Sequence, residues 1–149
     1  MKTTTTLSHL LTQVTNPGSE NYNIDTLTSL IPFEVVSNSV FSFTVILPNK
    51  DKFGLELESN VSIFWESKLT DFLKSHFGGA TIYDALGIYQ STQEKIKVFH
   101  VEVFQYGLQK FQNSFSQVLL LLRDFQLQCN QDSIGLFINQ KFSIIRFKE

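Results

Sequence analysis

Residues 95–104 have the sequence KIKVFHVEVF, in which apolar and polar side chains alternate along most of the stretch. Successive side chains of a β-strand point to opposite faces of the sheet. Phe99, Val101 and Val103 are therefore predicted to face the helices, while His100 and Glu102 share the other face. This pattern predicts one strand of an antiparallel sheet with a single buried face.

The elements before this strand follow from changes in periodicity. Residues 80–89 are predicted to be a strand, and the turn at 91–94 joins it to residues 95–104 as a hairpin. Residues 61–76 are predicted to be a helix, and residues 40–47 alternate again and form the first strand. The apolar residues at helical spacing in 61–76 are Trp65, Leu69, Phe72 and Leu73.

Local signals predict the ends of the helices. Ser59 or Asn60 suits the N-cap of the first helix, and Gly78, followed by a second glycine, would end it. The segment at 114–117, SFSQ, has the spacing of a capping box and predicts the start of a second helix that ends near Asn130. The apolar stripe of this second helix contains Phe115, Val118, Leu119, Leu122 and Phe125.

The tail and the N-terminal region complete the predicted architecture. Residues 134–147 have apolar runs on either side of Asn139-Gln140-Lys141, which fits one bent strand or a tight hairpin. The predicted order is βαββαβ, the ferredoxin-like arrangement of an α+β domain with two helices on one face of the antiparallel sheet. This domain is predicted to span residues 40–149. Residues 1–39 are predicted to form a helical or irregular adjunct with short helices at 7–14 and 25–30.

Composition limits the classes of partner and compartment. The 149 residues carry a formal charge of −2, with no concentration of Lys and Arg that would attract nucleic acid or an anionic membrane surface. No run of about 20 apolar residues predicts a membrane span. Cys129 is the single cysteine, which agrees with a reducing compartment, so we expect a cytoplasmic protein.

Short motifs on the predicted helix ends and strands resemble a family of small uncharacterised bacterial proteins. The resemblance rests on FGGAT at 77–81, on Gly87, and on QDSI at 131–134, and it spans residues 41–147. The family typically has Trp shortly after the glycine matched by Gly87, where this chain has Ile88 and Tyr89. The resemblance implies a ferredoxin-like fold and no established activity.

One group of polar residues is a candidate site. His100 and Glu102 are expected to lie on the open sheet face with Tyr83 and Tyr89 from the neighbouring strand, and Ser42 and Thr44 from the first strand lie on that face as well. A histidine, a carboxylate and phenols together can support acid–base chemistry or ligand binding. The competing interpretation, which the sequence favours, is half-exposed polar packing partly covered by the N-terminal segment.

No cofactor or metal is predicted, because His9, His76, His100 and Cys129 have no spacing typical of metal ligands.

Two function classes remain open from the sequence. The favoured one is a non-catalytic interaction or regulatory module, in which the strand at 80–89 forms a sheet edge that pairs with another protein or with a second copy as a homodimer. Ile82, Leu86 and Ile88 are its candidate interface residues, and the N-terminal segment would add specificity. The alternative is a small-molecule-binding protein or enzyme that uses His100, Glu102, Tyr83 and Tyr89 on the open face.

Overall fold

A computed structural model describes residues 34–89, 92–104 and 108–148. The chain divides into two compact units, Met1–Val40 and Phe41–Glu149. Residues 34–39 of the first unit have no regular secondary structure and are mostly exposed. The helices predicted at 7–14 and 25–30 lie outside the described residues, and the predicted role of residues 1–39 as an adjunct stays a prediction.

The described residues of the second unit form five strands and two helices. In chain order they are β1 Phe41–Pro48, α1 Ser59–Phe77, β2 Thr81–Tyr89, β3 Thr92–Val103, α2 Leu108–Gln128, β4 Ile134–Ile138 and β5 Lys141–Ile145. All strand pairs are antiparallel, and the order across the sheet is β2-β3-β1-β4-β5. The α+β class is therefore confirmed. Among the described residues, no helix is long and apolar enough to cross a membrane.

The sheet has five strands where the βαββαβ prediction has four, because the C-terminal tail forms a tight hairpin. Asn139 and Gln140 lie between β4 and β5 with φ values of 47° and 69°. Positive φ at both turn residues matches the right-handed twist of hairpin strands. Asn139 also fastens the turn to β1: its Oδ1 accepts from the Ser42 N–H at 3.0 Å, and its own N–H donates to the Ser42 carbonyl at 2.8 Å.

The core lies between one face of the sheet and the two helices, as the alternation in β1 and β3 predicts. Phe99 and Val101 are fully buried there, and Trp65 of α1 packs edge-on against Phe125 of α2 with ring centroids 5.6 Å apart. Burying large aromatic side chains is the main stabilising contribution of such a layer. The other buried core residues include Phe43, Val45, Leu47, Leu69, Leu73, Val103, Val118 and Leu122.

Both predicted helix starts are wrong. Glu58 occupies the N-cap position of α1 without a side-chain capping bond, so Ser59 and Asn60 already belong to the helix. The second helix begins at Leu108, six residues before the predicted capping box, and Ser114 is buried within it. Packing of apolar side chains outweighs the local capping signal here. The ring of Phe111 lies 4.6 Å from that of Phe41 in β1 and 5.5 Å from Phe115 one turn later.

The predicted end of α1 is confirmed. Gly78 adopts the left-handed conformation, with φ 82°, and its N–H donates to the Lys74 carbonyl at 3.2 Å. Glycine occupies this position without the steric cost that a side chain would impose. Gly79 also has positive φ, at 155°, and β2 begins two residues later at Thr81. The two glycines reverse the chain from helix to edge strand, and this reversal shapes the site described next.

Candidate functional site

The sheet register brings polar residues of β1 and β3 together on the sheet face opposite α1 and α2. Ser42 pairs with Glu102, and Thr44 pairs with His100. Directly opposed residues of antiparallel strands have their side chains on the same face. The structure therefore places Ser42, Thr44, His100 and Glu102 as the alternation predicts.

A chain of hydrogen bonds connects three of these side chains. The Thr44 hydroxyl lies 2.7 Å from Nδ1 of His100, and Nε2 of His100 lies 2.7 Å from Oε1 of Glu102. An ionised carboxylate only accepts hydrogen bonds, so Nε2 carries the hydrogen that is donated to Glu102. In the neutral imidazole, Nδ1 then accepts from the Thr44 hydroxyl. Both ring nitrogens are thus occupied, although a third of the His100 side chain is exposed.

His100 and Glu102 line a cavity of about 430 Å³ at the end of the edge strand. The cavity exists because β2 begins at Thr81, opposite His100, while β3 continues to Val103. A volume of this size lies within the range of small-molecule sites. The residues around it are Phe77, Gly78, Gly79, Ala80, Thr81, His100, Glu102 and Phe104. We call this cavity the notch.

The structure does not bring the two predicted tyrosines into the notch. Tyr83 pairs with Val98, is half exposed, and is not among the residues that line the cavity. Tyr89 pairs with Thr92 at the far end of the hairpin, eight residues from Thr81. Tyr83 and the main chain of Tyr89 therefore both lie apart from the His100–Glu102 pair. Their predicted role in ligand binding stays a prediction.

Sequence reasoning missed the part of the notch that comes from the end of α1. Phe77 and the glycines after it are predicted only as a helix stop, although they form one wall beside His100 and Glu102. Phe104 is predicted to face the same side as His100, but it carries no predicted role. The sequence signal for this wall is a pair of glycines just before an edge strand. Such a pair can turn the main chain away from the sheet and leaves no side chains to fill the space beside the neighbouring strand.

The candidate interface residues lie on the other side of the sheet. Ile82, Leu86 and Ile88 pair with Phe99, Lys95 and Gln93 of β3, which places them on the face that carries the helices. Their side chains remain 39%, 58% and 65% exposed, since β2 is the edge strand. The predicted edge position of this strand is confirmed. Their role as interface residues stays a prediction.

A second, smaller cleft lies between α1 and the hairpin of β2 and β3. Its volume is about 170 Å³, and it contains an ion pair between Lys97 and Asp84 at 2.6 Å, with Glu66 4.0 Å from the same ammonium. The hydrogen bond to Asp84 raises the pKa of Lys97, against the opposing effect of burial. These charges satisfy one another and connect the edge strand to α1. No cluster of metal-ligating side chains occurs within residues 34–89, 92–104 and 108–148.

No protein-family model matches the chain, and no curated protein matches it. Two solved structures share its fold. A phage SAM lyase in the apo state is 16% identical with a TM-score of 0.52, and the match covers 78% of this chain and 97% of the lyase. A phage SAM lyase in complex with S-methyl-5'-thioadenosine is 12% identical with a TM-score of 0.51, covering 77% of this chain and 95% of the lyase.

These structural neighbours correct the favoured function. The prediction of a non-catalytic interaction module is wrong, because the fold that matches over 78% and 77% of this chain is that of phage SAM lyase, an enzyme that acts on a small molecule. The alternative, a small-molecule-binding protein or enzyme with a polar site on the open sheet face, is the better supported one. Identities of 16% and 12% are a likeness of fold, and the chemistry has to be argued from the site.

Proposed function

We propose that this protein binds S-adenosylmethionine in the notch and cleaves it to S-methyl-5'-thioadenosine. The observation that carries the proposal is the notch itself. It is a cavity of about 430 Å³ whose lining includes the hydrogen-bonded His100–Glu102 pair, in a fold shared with phage SAM lyase. Phe77 and Phe104 add aromatic surface to its walls, which suits a purine base.

The product of the proposed reaction defines which bond breaks. S-methyl-5'-thioadenosine keeps the methyl and adenosyl groups on sulfur, so the bond that breaks joins sulfur to the aminobutyrate chain. The electron pair of this bond goes to sulfur, which changes from a positive sulfonium to a neutral thioether. The four-carbon fragment is then completed in one of two ways: its own carboxylate closes on the carbon that sulfur leaves, or a neighbouring proton passes to a base.

The hydrogen bonds of His100 favour closure by the substrate's own carboxylate. A general base needs a free lone pair within hydrogen-bonding reach of the proton it removes. In His100, Nε2 donates to Glu102 and Nδ1 contacts the Thr44 hydroxyl, each at 2.7 Å. Neither nitrogen is free, whereas internal closure requires no base. Closure also cancels a negative and a positive charge, so a site that excludes water accelerates it.

Glu102 has a different role in this proposal. Its carboxylate is 41% exposed at the notch, so it can accept hydrogen bonds from the ribose hydroxyls or the ammonium group of the substrate. His100 holds the carboxylate in place through Nε2. Binding the substrate in one geometry is what brings its own carboxylate close to the reacting carbon.

The test is incubation of the purified protein with S-adenosylmethionine and quantification of S-methyl-5'-thioadenosine by mass spectrometry. The active protein should release this product, and Glu102→Gln should reduce the yield while the protein stays folded. Glu56→Gln is the matched control, because Glu56 is exposed in the loop before α1 and does not line the notch. A wild-type protein that neither binds nor cleaves S-adenosylmethionine would refute the proposal.

We further propose that the unit is a ferredoxin-like domain, the fold implied by the resemblance to a family of small bacterial proteins, and that this chain extends it by one strand. The order β2-β3-β1-β4, with a helix after β1 and another after β3, supports this assignment, and β5 is then an addition at the second edge. The single cysteine supports a cytoplasmic location.

A further inference from the structure

The main-chain groups of Glu102 point away from β1. At Ser42, its partner in β1, both main-chain groups bond to Asn139 on the β4 side: the N–H donates to Oδ1 at 3.0 Å, and the carbonyl accepts from N–H at 2.8 Å. Ser42 and Glu102 are therefore a non-hydrogen-bonded pair of the β1–β3 ladder. In such a pair, the N–H and C=O of each residue are directed to the opposite side of its strand.

On that opposite side of Glu102, the neighbouring strand is missing. The ladder between β2 and β3 ends with Thr81 opposite His100, and its register, continued by two residues, would set Gly79 against Glu102. Gly78 and Gly79, with φ values of 82° and 155°, instead turn the chain toward α1. The N–H and C=O of Glu102 consequently face the notch and have no main-chain partner in the part of the chain that the structure describes.

Open space lies where that partner would be. Gly79 and Glu102 both line the notch, and a Cβ built on Gly79 meets no atom within 4 Å, so the space on the Gly79 side of the notch is open. A main-chain donor and acceptor at an open sheet edge bind groups that present the complementary pair. Adenine presents this pair on one edge, because its N1 accepts a hydrogen bond and its 6-amino group donates one.

We propose that the main chain of Glu102 reads the N1 and 6-amino edge of adenine and so selects an adenine nucleoside over a 6-oxo purine. This inference rests on the proposed function, since it names the part of that substrate which the notch recognises. Glu102 N–H donates to N1, and Glu102 C=O accepts from the amino group, while Phe77 or Phe104 lies against the base. Hypoxanthine reverses both groups, with a donor at N1 and an acceptor at position 6. Its N1–H would face the Glu102 N–H, and its 6-oxo group would face the Glu102 C=O.

The experiment compares binding of S-methyl-5'-thioadenosine with binding of S-methyl-5'-thioinosine to the full chain by calorimetry. A site built to hydrogen-bond a polar edge rejects a mismatched analogue strongly, so the inosine compound should bind at least about 100-fold more weakly. The 7-deaza form of the adenosine compound keeps N1 and the amino group and is the matched control, which should bind as well as the parent compound.

A second measurement follows the Glu102 amide itself by NMR of ¹⁵N-labelled protein. Its signal should shift, and its hydrogen exchange should slow, when S-methyl-5'-thioadenosine is added. Equal binding of the two nucleosides overturns the inference and leaves the proposed function intact. Selectivity without any change at the Glu102 amide also overturns it, because another group would then read the base. If neither nucleoside binds, the proposed function fails and the inference falls with it.

Discussion

Replacing His100 distinguishes closure by the substrate's own carboxylate from proton removal by His100, because the two mechanisms predict losses of activity of different size. His100→Gln keeps an amide N–H that can donate to Glu102 but cannot act as a base, whereas His100→Ala removes both functions. Two hydrogen bonds of 2.7 Å hold the ring of His100, and 33% of its side chain is exposed, so water partly replaces what is lost. We therefore expect the loss of the hydrogen bond from His100 to Glu102 to cost about 1 kcal/mol, which corresponds to roughly a 5- to 10-fold decrease in kcat/KM.

The assay is kcat/KM for release of S-methyl-5'-thioadenosine at a fixed pH. His100→Ala should lose roughly 5- to 10-fold, and His100→Gln should recover most of this loss. A general base contributes about 100- to 10,000-fold to the rate. If His100 were the base, kcat/KM of both variants would fall by at least about 100-fold. Loss of about 1,000-fold in both variants, with unfolding curves unchanged, would refute closure by the substrate's own carboxylate.

The other predictions concern the stability of the fold that carries the notch. Gln126→Met should lower the free energy of unfolding, measured in urea, by about 1–2 kcal/mol. The buried Gln126 side chain accepts from the Phe147 N–H at 3.0 Å and donates to the Phe147 carbonyl at 3.3 Å, and methionine can do neither. An unchanged free energy of unfolding would show that water replaces both bonds. Burial raises the pKa of the Cys129 thiol, with a hydrogen bond to Trp65 opposing it, so thiol-labelling reagents should react slowly until the protein unfolds. Because the unfolded state loses the thiol proton at lower pH than the folded state does, the free energy of unfolding should fall as pH rises above the ordinary thiol pKa. In Cys129→Ala this free energy should fall less steeply with pH. Identical slopes in the two proteins would contradict the raised pKa of Cys129.

The sheet could be predicted from the sequence because its signals are periodic and local. Alternation along β1 and β3 identifies the buried face, and Gly78 identifies the end of α1. The start of α2 could not be predicted, since Phe111 extends the helix through a contact with Phe41, seventy residues earlier in the chain. Such a contact leaves no trace in local spacing.

The site could be predicted only in part, for a related reason. Alternation places His100 and Glu102 on one face, but the gap beside them depends on where β2 starts relative to β3. That offset is a property of strand pairing, which side-chain patterns do not encode. The tyrosines illustrate the limit: Tyr83 has the predicted face and lies outside the notch, because the register sets it opposite Val98.

The uninterrupted pairing of β1 with β3 also constrains how the gene can change. The register runs without a bulge from Phe41 opposite Val103 to Pro48 opposite Ile96. A single codon inserted within β3 would shift the rest of the strand by one residue and exchange its faces, which would drive His100 and Glu102 into the core and expose Val101. Natural variation in this strand should therefore consist of substitutions, and changes in length should collect in loops such as residues 49–58.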